Sequence, residues 1–324
     1  MKTRYKKTYH QALLFLSLAL LIGLVLYVRK NSSSFERIKS INLSIAFSLI
    51  GIHALNYILL GITHFYPLKK IHSIKLNTNE WFGLCTISEL FNMLLPAKGG
   101  TAIRMMYMNE KKDLPMREFL SMGLAVLLIG FSFLGLAGSI YCHYFLTKHN
   151  IVFDALESLF IALTLSSFML ILSNELFTRI FKLERKYSLK KYLIDRNIIL
   201  ISLICYLGIF ALYPLKVYLS FRAIGIEMRL FDSLEISLIL LATGLFQILP
   251  GNIGVKEVAT AYIANQYGIQ FEAALLASLV DRAILMLFLF PMGAYFYWIL
   301  FLDLSLPRLK FSSENSIDLT TPTL

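Results

Sequence analysis

The chain has 324 residues, 57% of them hydrophobic and 16% charged, with a mean hydropathy of +0.67 and a formal net charge of +11. A soluble domain of this size needs more polar surface, and the apolar residues form long charge-poor runs rather than alternating, which excludes a β-barrel and implies bilayer-spanning helices. The positive charge would suggest nucleic acid in a soluble protein; here it sits in short loops between apolar runs and reads as topology control by the positive-inside rule, so no nucleic-acid partner is expected.

Spans are predicted at 12–28, 43–65, 119–146, 155–177, 197–219 and 272–302. Lys2, Arg4, Lys6 and Lys7 precede the first run as they would in a signal peptide. No small-x-small cleavage site follows near Tyr27, so the run is read as a retained span. Two further apolar stretches, 80–95 and 233–249, end in Leu-Pro with glycine soon after, and each continues into a more polar helical stretch. The tail 307–324 carries Ser, Thr, Asn, Asp and Pro and is predicted to be disordered. Cys85, Cys142 and Cys205 lie far apart in apolar runs, imply neither a metal site nor a disulfide framework, and read as buried packing residues.

The basic loops set an orientation. The N-terminus, loop 66–79 (Lys69, Lys70, Lys75) and loop 178–196 (Arg179, Lys182, Arg185, Lys186, Lys190, Lys191, Arg196) are assigned to the cytoplasm. Region 80–110 must then leave and return on one side, turning at Pro96–Gly100. By the same count 233–267 leaves and returns on the outer side. Loop 29–42, with Arg29, Lys30, Arg37 and Lys39, runs against this assignment, since it falls outside.

The two odd segments resemble each other. Leu90-Phe91-Asn92-Met93-Leu94-Leu95-Pro96-Ala97-Lys98-Gly99-Gly100 and Leu245-Phe246-Gln247-Ile248-Leu249-Pro250-Gly251-Asn252-Ile253-Gly254 share Leu-Phe, an amide side chain and Leu-Pro-x-x-x-Gly. Pro96 and Pro250 are 154 positions apart, as are Gly100 and Gly254. The same shift carries span 43–65 onto 197–219 and 119–146 close to 272–302, whereas 12–28 matches 155–177 less well. The expected fold is therefore all-α: a single polytopic transmembrane domain over 1–324, with an inverted-topology repeat (halves about 1–150 and 151–306) and two re-entrant broken helices. Such interrupted segments at matching positions point to a transport site near the midplane.

Pro96 and Pro250 break a helix, and Gly100, Gly251 and Gly254 accept the reversal that follows. The helix restarting after each break presents free amides and a positive dipole end, which attract anions. Lys98 and Arg104 lie beside the first break, and Lys256 and Glu257 beside the second. Charges inside span 272–302, Asp281 and Arg282, are costly in lipid and face a bundle interior or cavity. Glu89 is placed similarly, seven residues before Pro96. The preferred pairings are Glu257 with Arg282, and Glu89 with a base of the first break. Each charged residue also has a plain structural reading: Lys98 and Arg104 snorkelling to the interface, Glu257 as a first-turn acid, the others as static ion pairs. His53 and Asn56 share a face of the second span and read as interhelical hydrogen-bond partners. No phosphate loop and no H-E-x-x-H motif is present, and the His149-x4-Asp154 spacing reads as coincidence. No cofactor or metal is expected.

These segments resemble the lysylphosphatidylglycerol synthase transmembrane region, also called the flippase-like family of bacterial and archaeal membrane proteins. The resemblance rests on Pro96-Ala97-Lys98-Gly99-Gly100 with Arg104, and on Pro250-Gly251-Asn252-Ile253-Gly254-Val255-Lys256-Glu257 with Arg282. It covers about residues 10–302. The chain departs from the family at Thr101, where an acidic residue often stands, so an acid–base contact of the first half is expected to be missing. The resemblance implies lipid handling: fused members are associated with moving aminoacylated phospholipids between leaflets, and stand-alone members with other lipids or lipid-linked sugars. With no synthase domain in view, aminoacyl transfer is not expected.

The leading expectation is a lipid translocase of a prokaryotic plasma membrane that acts on a phospholipid or a lipid-linked phosphate. Lys98, Arg104, Glu257 and Arg282 would bind the head group, and Glu89 and Asp281 would supply supporting charge. The alternatives are an integral-membrane transferase using Glu257 or Asp281, and a non-transporting partner of a lipid-modifying enzyme.

Overall fold

The computed structural model describes residues 41–96, 98–145, 151–173, 189–245 and 249–301, with Leu26 and Arg29. Predicted span 12–28 apart from Leu26, most of loop 178–196, the tail 307–324, and Ala97, His149 and Gln247 lie outside the described residues. Among the described residues there are helices and turns and no strand. In chain order the helices are α1 (Leu43–His72), α2 (Thr78–Leu94), α3 (Gly100–Lys112), α4 (Met116–Phe145), α5 (Ile151–Leu172), α6 (Lys190–Ile194), α7 (Arg196–Ala223), α8 (Leu230–Leu245), α9 (Val255–Gln266) and α10 (Phe271–Phe301). A short 3-10 turn, Pro250–Asn252, separates α8 from α9.

Helices α1, α4, α5, α7 and α10 are long and apolar enough to cross a membrane. They fall on five of the six predicted spans. Large apolar side chains point outward along them, among them Phe47, Leu165, Met169, Leu172, Ile204 and Leu287. Such a surface suits lipid, not water. Tyr295 and Trp298 stand exposed near the end of α10, where amphipathic rings favour a membrane interface.

The helix at predicted span 155–177 runs Ile151–Leu172, and the end of α1 also differs from expectation. The predicted loop 66–79 begins too early, because α1 continues through Pro67 to His72. Phe65, Pro67 and Leu68 are buried there, and their packing outweighs the one hydrogen bond that proline removes. Ser73, in the left-handed conformation, ends the helix by donating its N–H to Leu68 O.

The helix succession repeats. Adding 154 to the starts of α1, α2, α3 and α4 gives 197, 232, 254 and 270; α7, α8, α9 and α10 start at 196, 230, 255 and 271. The counterparts α1 and α7 pack antiparallel: Asn42 N donates to Ala223 O (3.1 Å) at one end, while Leu59 lies against Gly208 further along. Helix α5 packs tightly on α4, where Gly135 and Gly138 admit Thr164 and Phe160.

Two apolar cores occupy the two ends of the bundle. One gathers Leu49, Phe153, Phe160, Phe221, Ile236, Ala261 and Leu276. The other gathers Tyr57, Leu68, Ile87, Met108, Phe119, Tyr192 and Leu289. At this second end Glu118, in the first turn of α4, accepts from Tyr192 OH and pairs with Lys191 (2.5 Å) and His72 (3.2 Å). That cluster ties α1, α4 and α6 together. Along α1, Leu49 belongs to one core and Tyr57 to the other, with His53 between them. Lys216 of α7 and Asp281 and Arg282 of α10 gather near this changeover.

Candidate functional site

The first break is built by sequence that cannot continue a helix. Asn77 and Glu80 open α2 with reciprocal bonds: Asn77 Oδ1 accepts from Glu80 N (2.8 Å) and Glu80 Oε2 from Asn77 N (2.9 Å). Pro96 holds Leu95 extended (φ −111°, ψ 144°), and Lys98 takes a left-handed φ of 55°. Asn92 Oδ1 then accepts from Gly100 N (2.9 Å), and Asn92 Nδ2 donates to Glu89 (3.2 Å), so the amide side chain latches the restart of α3. Gly100 is required by contact: a Cβ there would sit 1.7 Å from the Ser88 carbonyl oxygen.

Helix α3 returns to where α2 began. Lys112 Nζ lies 2.7 Å from Glu80 Oε1, and Tyr107 OH donates to the same carboxylate (2.8 Å). Burial pushes the Glu80 carboxyl up, but Lys112, the Asn77 amide and Tyr107 outweigh it and hold it below the usual carboxylate range.

The second break uses Pro250 with Gly251 (φ 55°), Asn252 (φ 50°) and Gly254 (φ 85°). Asn252 Nδ2 donates to Thr243 O (2.7 Å), latching this turn as Asn92 latches the other. Glu257 Oε2 accepts from Gly254 N (2.7 Å), its Oε1 pairs with Arg282 Nε, and Arg282 Nη2 donates to Gly251 O (3.0 Å). The expected Glu257–Arg282 pair is therefore present, and the first-turn role of Glu257 is present with it.

Between the two breaks lies a cavity of about 70 Å³, lined by Glu89, Lys216, Lys256, Glu257, Asp281 and Arg282 among others. It has room for a handful of waters. Asp281 meets His53 Nε2 (3.1 Å), Ser220 Oγ (3.4 Å) and Lys216 Nζ (3.9 Å). Lys216 also stands over the Tyr213 ring, 4.4 Å from its centre. Asp281 and Arg282, adjacent in sequence, thus turn to different partners. Asp281 and His53 are each ten residues into their helices. At 1.5 Å per residue that is roughly 15 Å, about half the thickness of a bilayer's hydrocarbon core.

Not every expected site residue reaches this cavity. Glu89, Glu257, Asp281, Arg282 and Gly251 line it; Lys98 and Arg104 do not. The expected positive balance is corrected accordingly, because three acids face three bases: Lys216, Lys256 and Arg282. Glu89 bonds Asn92 rather than forming an ion pair with Lys98 or Arg104, though both bases feel its charge. Arg104 is 6% exposed and makes no hydrogen bond or ion pair among the described residues. Lys98, by contrast, is partly buried beside the break.

Sequence reasoning passed over Lys216. Its signal was available, since a lysine inside an otherwise apolar span is costly unless it faces a polar interior. His53, expected to form an interhelical hydrogen bond, does so with Asp281; Asn56 Oδ1 is buried without a partner. All three cysteines are buried and free, as their apolar settings imply. Among the described residues no cluster of His, Cys, Asp or Glu is arranged to hold a metal.

No curated protein and no solved structure matches this chain. The family pattern described as "Lysylphosphatidylglycerol synthase TM region" matches residues 14–293, a stretch that contains both breaks and Arg282. The chain is a multi-pass helical membrane protein and belongs to the lysylphosphatidylglycerol synthase transmembrane-region family.

Proposed function

We propose that this protein moves a phosphate-bearing lipid between the leaflets of a prokaryotic plasma membrane, taking the head group at the cavity between the two breaks. The observation that carries the reading is a set of unsatisfied cationic donors inside an apolar bundle. Arg282 Nη1 is buried without a partner, and the Lys256 ammonium makes no hydrogen bond or ion pair among the described residues. Buried donors left open in lipid are expensive, and a phosphate oxygen satisfies them with charge-assisted bonds. Arg104 and Lys98, beyond Glu89, offer a second basic step on the first-half side.

The family's lipid connection supports the same reading. In it the α2–α3 and α8–α9 pairs are re-entrant hairpins, and the two halves of one transmembrane domain have opposite topology. Support comes from the antiparallel packing of counterparts α1 and α7 and from where each pair opens. Thr78 and Lys112 belong to the end bearing Lys69, Lys70, Lys75 and Lys191, which the positive-inside rule assigns to the cytoplasm. Leu234, Ile236 and Tyr267 of the other pair pack at the opposite end. The cavity is too small for a whole head group, so this conformation is read as a closed state of an alternating-access cycle.

The test is leaflet exchange by the purified protein in phosphatidylethanolamine–phosphatidylglycerol vesicles carrying a trace of fluorescent short-chain phosphatidylglycerol. Exchange without covalent change is expected, and Lys256→Gln with Arg282→Gln should abolish it. A new lipid product would instead indicate a transferase. Vesicles with neither outcome would favour a non-transporting partner of a lipid-modifying enzyme.

A further inference from the structure

Asp281 carries more than the head-group cavity needs. Its carboxylate meets an imidazole from α1, His53, rather than a second fixed cation at contact distance; Lys216 stands off at 3.9 Å. His53 is 3% exposed, yet it lines a second small cavity of about 10 Å³ together with Ile52, Asn56, Leu212, Tyr213 and Lys216. Tyr213 and Lys216 are walls of both cavities. The orphan Asn56 Oδ1 belongs to a residue of the second. A polar line therefore runs from the main cavity through Asp281 and His53 to Asn56, along the α1–α7 seam inside an apolar bundle.

We propose that His53 and Asp281 form a proton-binding site that couples lipid movement to a proton gradient. The inference rests on the reading of the neighbouring cavity as a head-group site. With Nε2–H donating to Asp281, the lone pair on His53 Nδ1 is the basic atom. A proton taken from water there turns the neutral imidazole into an imidazolium beside its carboxylate, and nothing else changes covalently. The charged and titratable groups around the pair are Tyr57 from α1, Tyr213 and Lys216 from α7, Lys256 and Glu257 from α9, Glu89 from α2 and Arg282 from α10. Lys216 is the link between the two ligands. A phosphate drawn to Lys216 and Lys256 competes with Asp281 for the Lys216 ammonium, which leaves Asp281 short of countercharge and favours the protonated pair. Reciprocity then requires that the proton favour phosphate binding equally.

The experiment uses the full chain in phosphatidylethanolamine–phosphatidylglycerol vesicles with fluorescent short-chain phosphatidylglycerol, with and without an imposed pH gradient. Wild type should move the probe from the acidic to the alkaline side at least about 5-fold faster with the gradient. In His53→Gln, which keeps a donor toward Asp281 but cannot take the proton, the ratio of rates with and without gradient should fall to unity. Equal wild-type rates in both conditions would overturn proton coupling while leaving translocation standing. A His53→Gln ratio equal to wild type would overturn the assignment to this pair. No exchange by wild type under any condition would overturn both readings together.

Discussion

Arg282 pairs through Nε with the Glu257 carboxylate and through Nη2 with the Gly251 carbonyl, so one side chain from α10 holds both sides of the second break. Glu257 in turn fixes the first amide of the restarting helix at Gly254. Removing the acid leaves a largely buried guanidinium without its countercharge. Glu257→Gln should keep the Gly254 bond yet destabilise by roughly 3–5 kcal/mol, seen as a lower thermal midpoint in detergent. Exchanging the two charges, Glu257→Arg with Arg282→Glu, should recover part of that loss. An unchanged midpoint with lost transport would assign the pair to substrate instead of structure.

Arg104 behaves in the opposite way. It is buried and unpaired among the described residues, so it costs stability that only a ligand returns. Arg104→Met should raise the thermal midpoint of the purified protein. It should also weaken binding of phosphatidylglycerol micelles by the loss of a charge-assisted bond, about 1.5–3 kcal/mol. A lower midpoint would mean that Arg104 is structural.

The Lys112–Glu80 contact closes the mouth of the first hairpin. Single cysteines introduced as Thr78→Cys and Lys111→Cys should react with a membrane-impermeant maleimide from the same side of the membrane. The native cysteines are buried and should contribute little background. Labelling from opposite sides would remove the re-entrant hairpin and the inverted repeat with it.

Glu80 also gives the hairpin an acid limit. Its folded carboxyl is held below the unfolded value, so its contribution is fully present above the unfolded value and disappears as pH falls through the folded one. The thermal midpoint should drop on acidification below the usual carboxylate range. Glu80→Gln should start lower near neutrality and show a shallower acid dependence.

Two glycine substitutions separate contact from propensity. Gly100→Ala places a Cβ against the Ser88 carbonyl and should destabilise by about 1–3 kcal/mol. Gly123→Ala, in α4, meets nothing within 4 Å and should be neutral or stabilising by roughly 0.5–1 kcal/mol. Denaturant or thermal midpoints of the two variants in one detergent provide the comparison.

The sequence by itself determined the elements. Charge-poor, non-alternating runs of about 20 residues have one stable solution in lipid, so five of the predicted spans coincide with long apolar helices. Pro96 and Pro250 each cost a helix its hydrogen bonds wherever the chain lies, and both breaks stand where Leu-Pro predicts them. The spacing of 154 between the prolines is matched to within two residues by the starts of four helix pairs. Tertiary structure alone decided the partners. Asp281 meets His53 from a helix 228 positions away, and Lys216 is brought over both cavities by the packing of α7 on α1 and α10. It also decided that Lys98 and Arg104 stay outside the main cavity. Hydropathy and local propensity specify where a helix begins, ends and breaks, but not its rotation about its own axis. That rotation comes from how helices pack, and it determines which charge faces which.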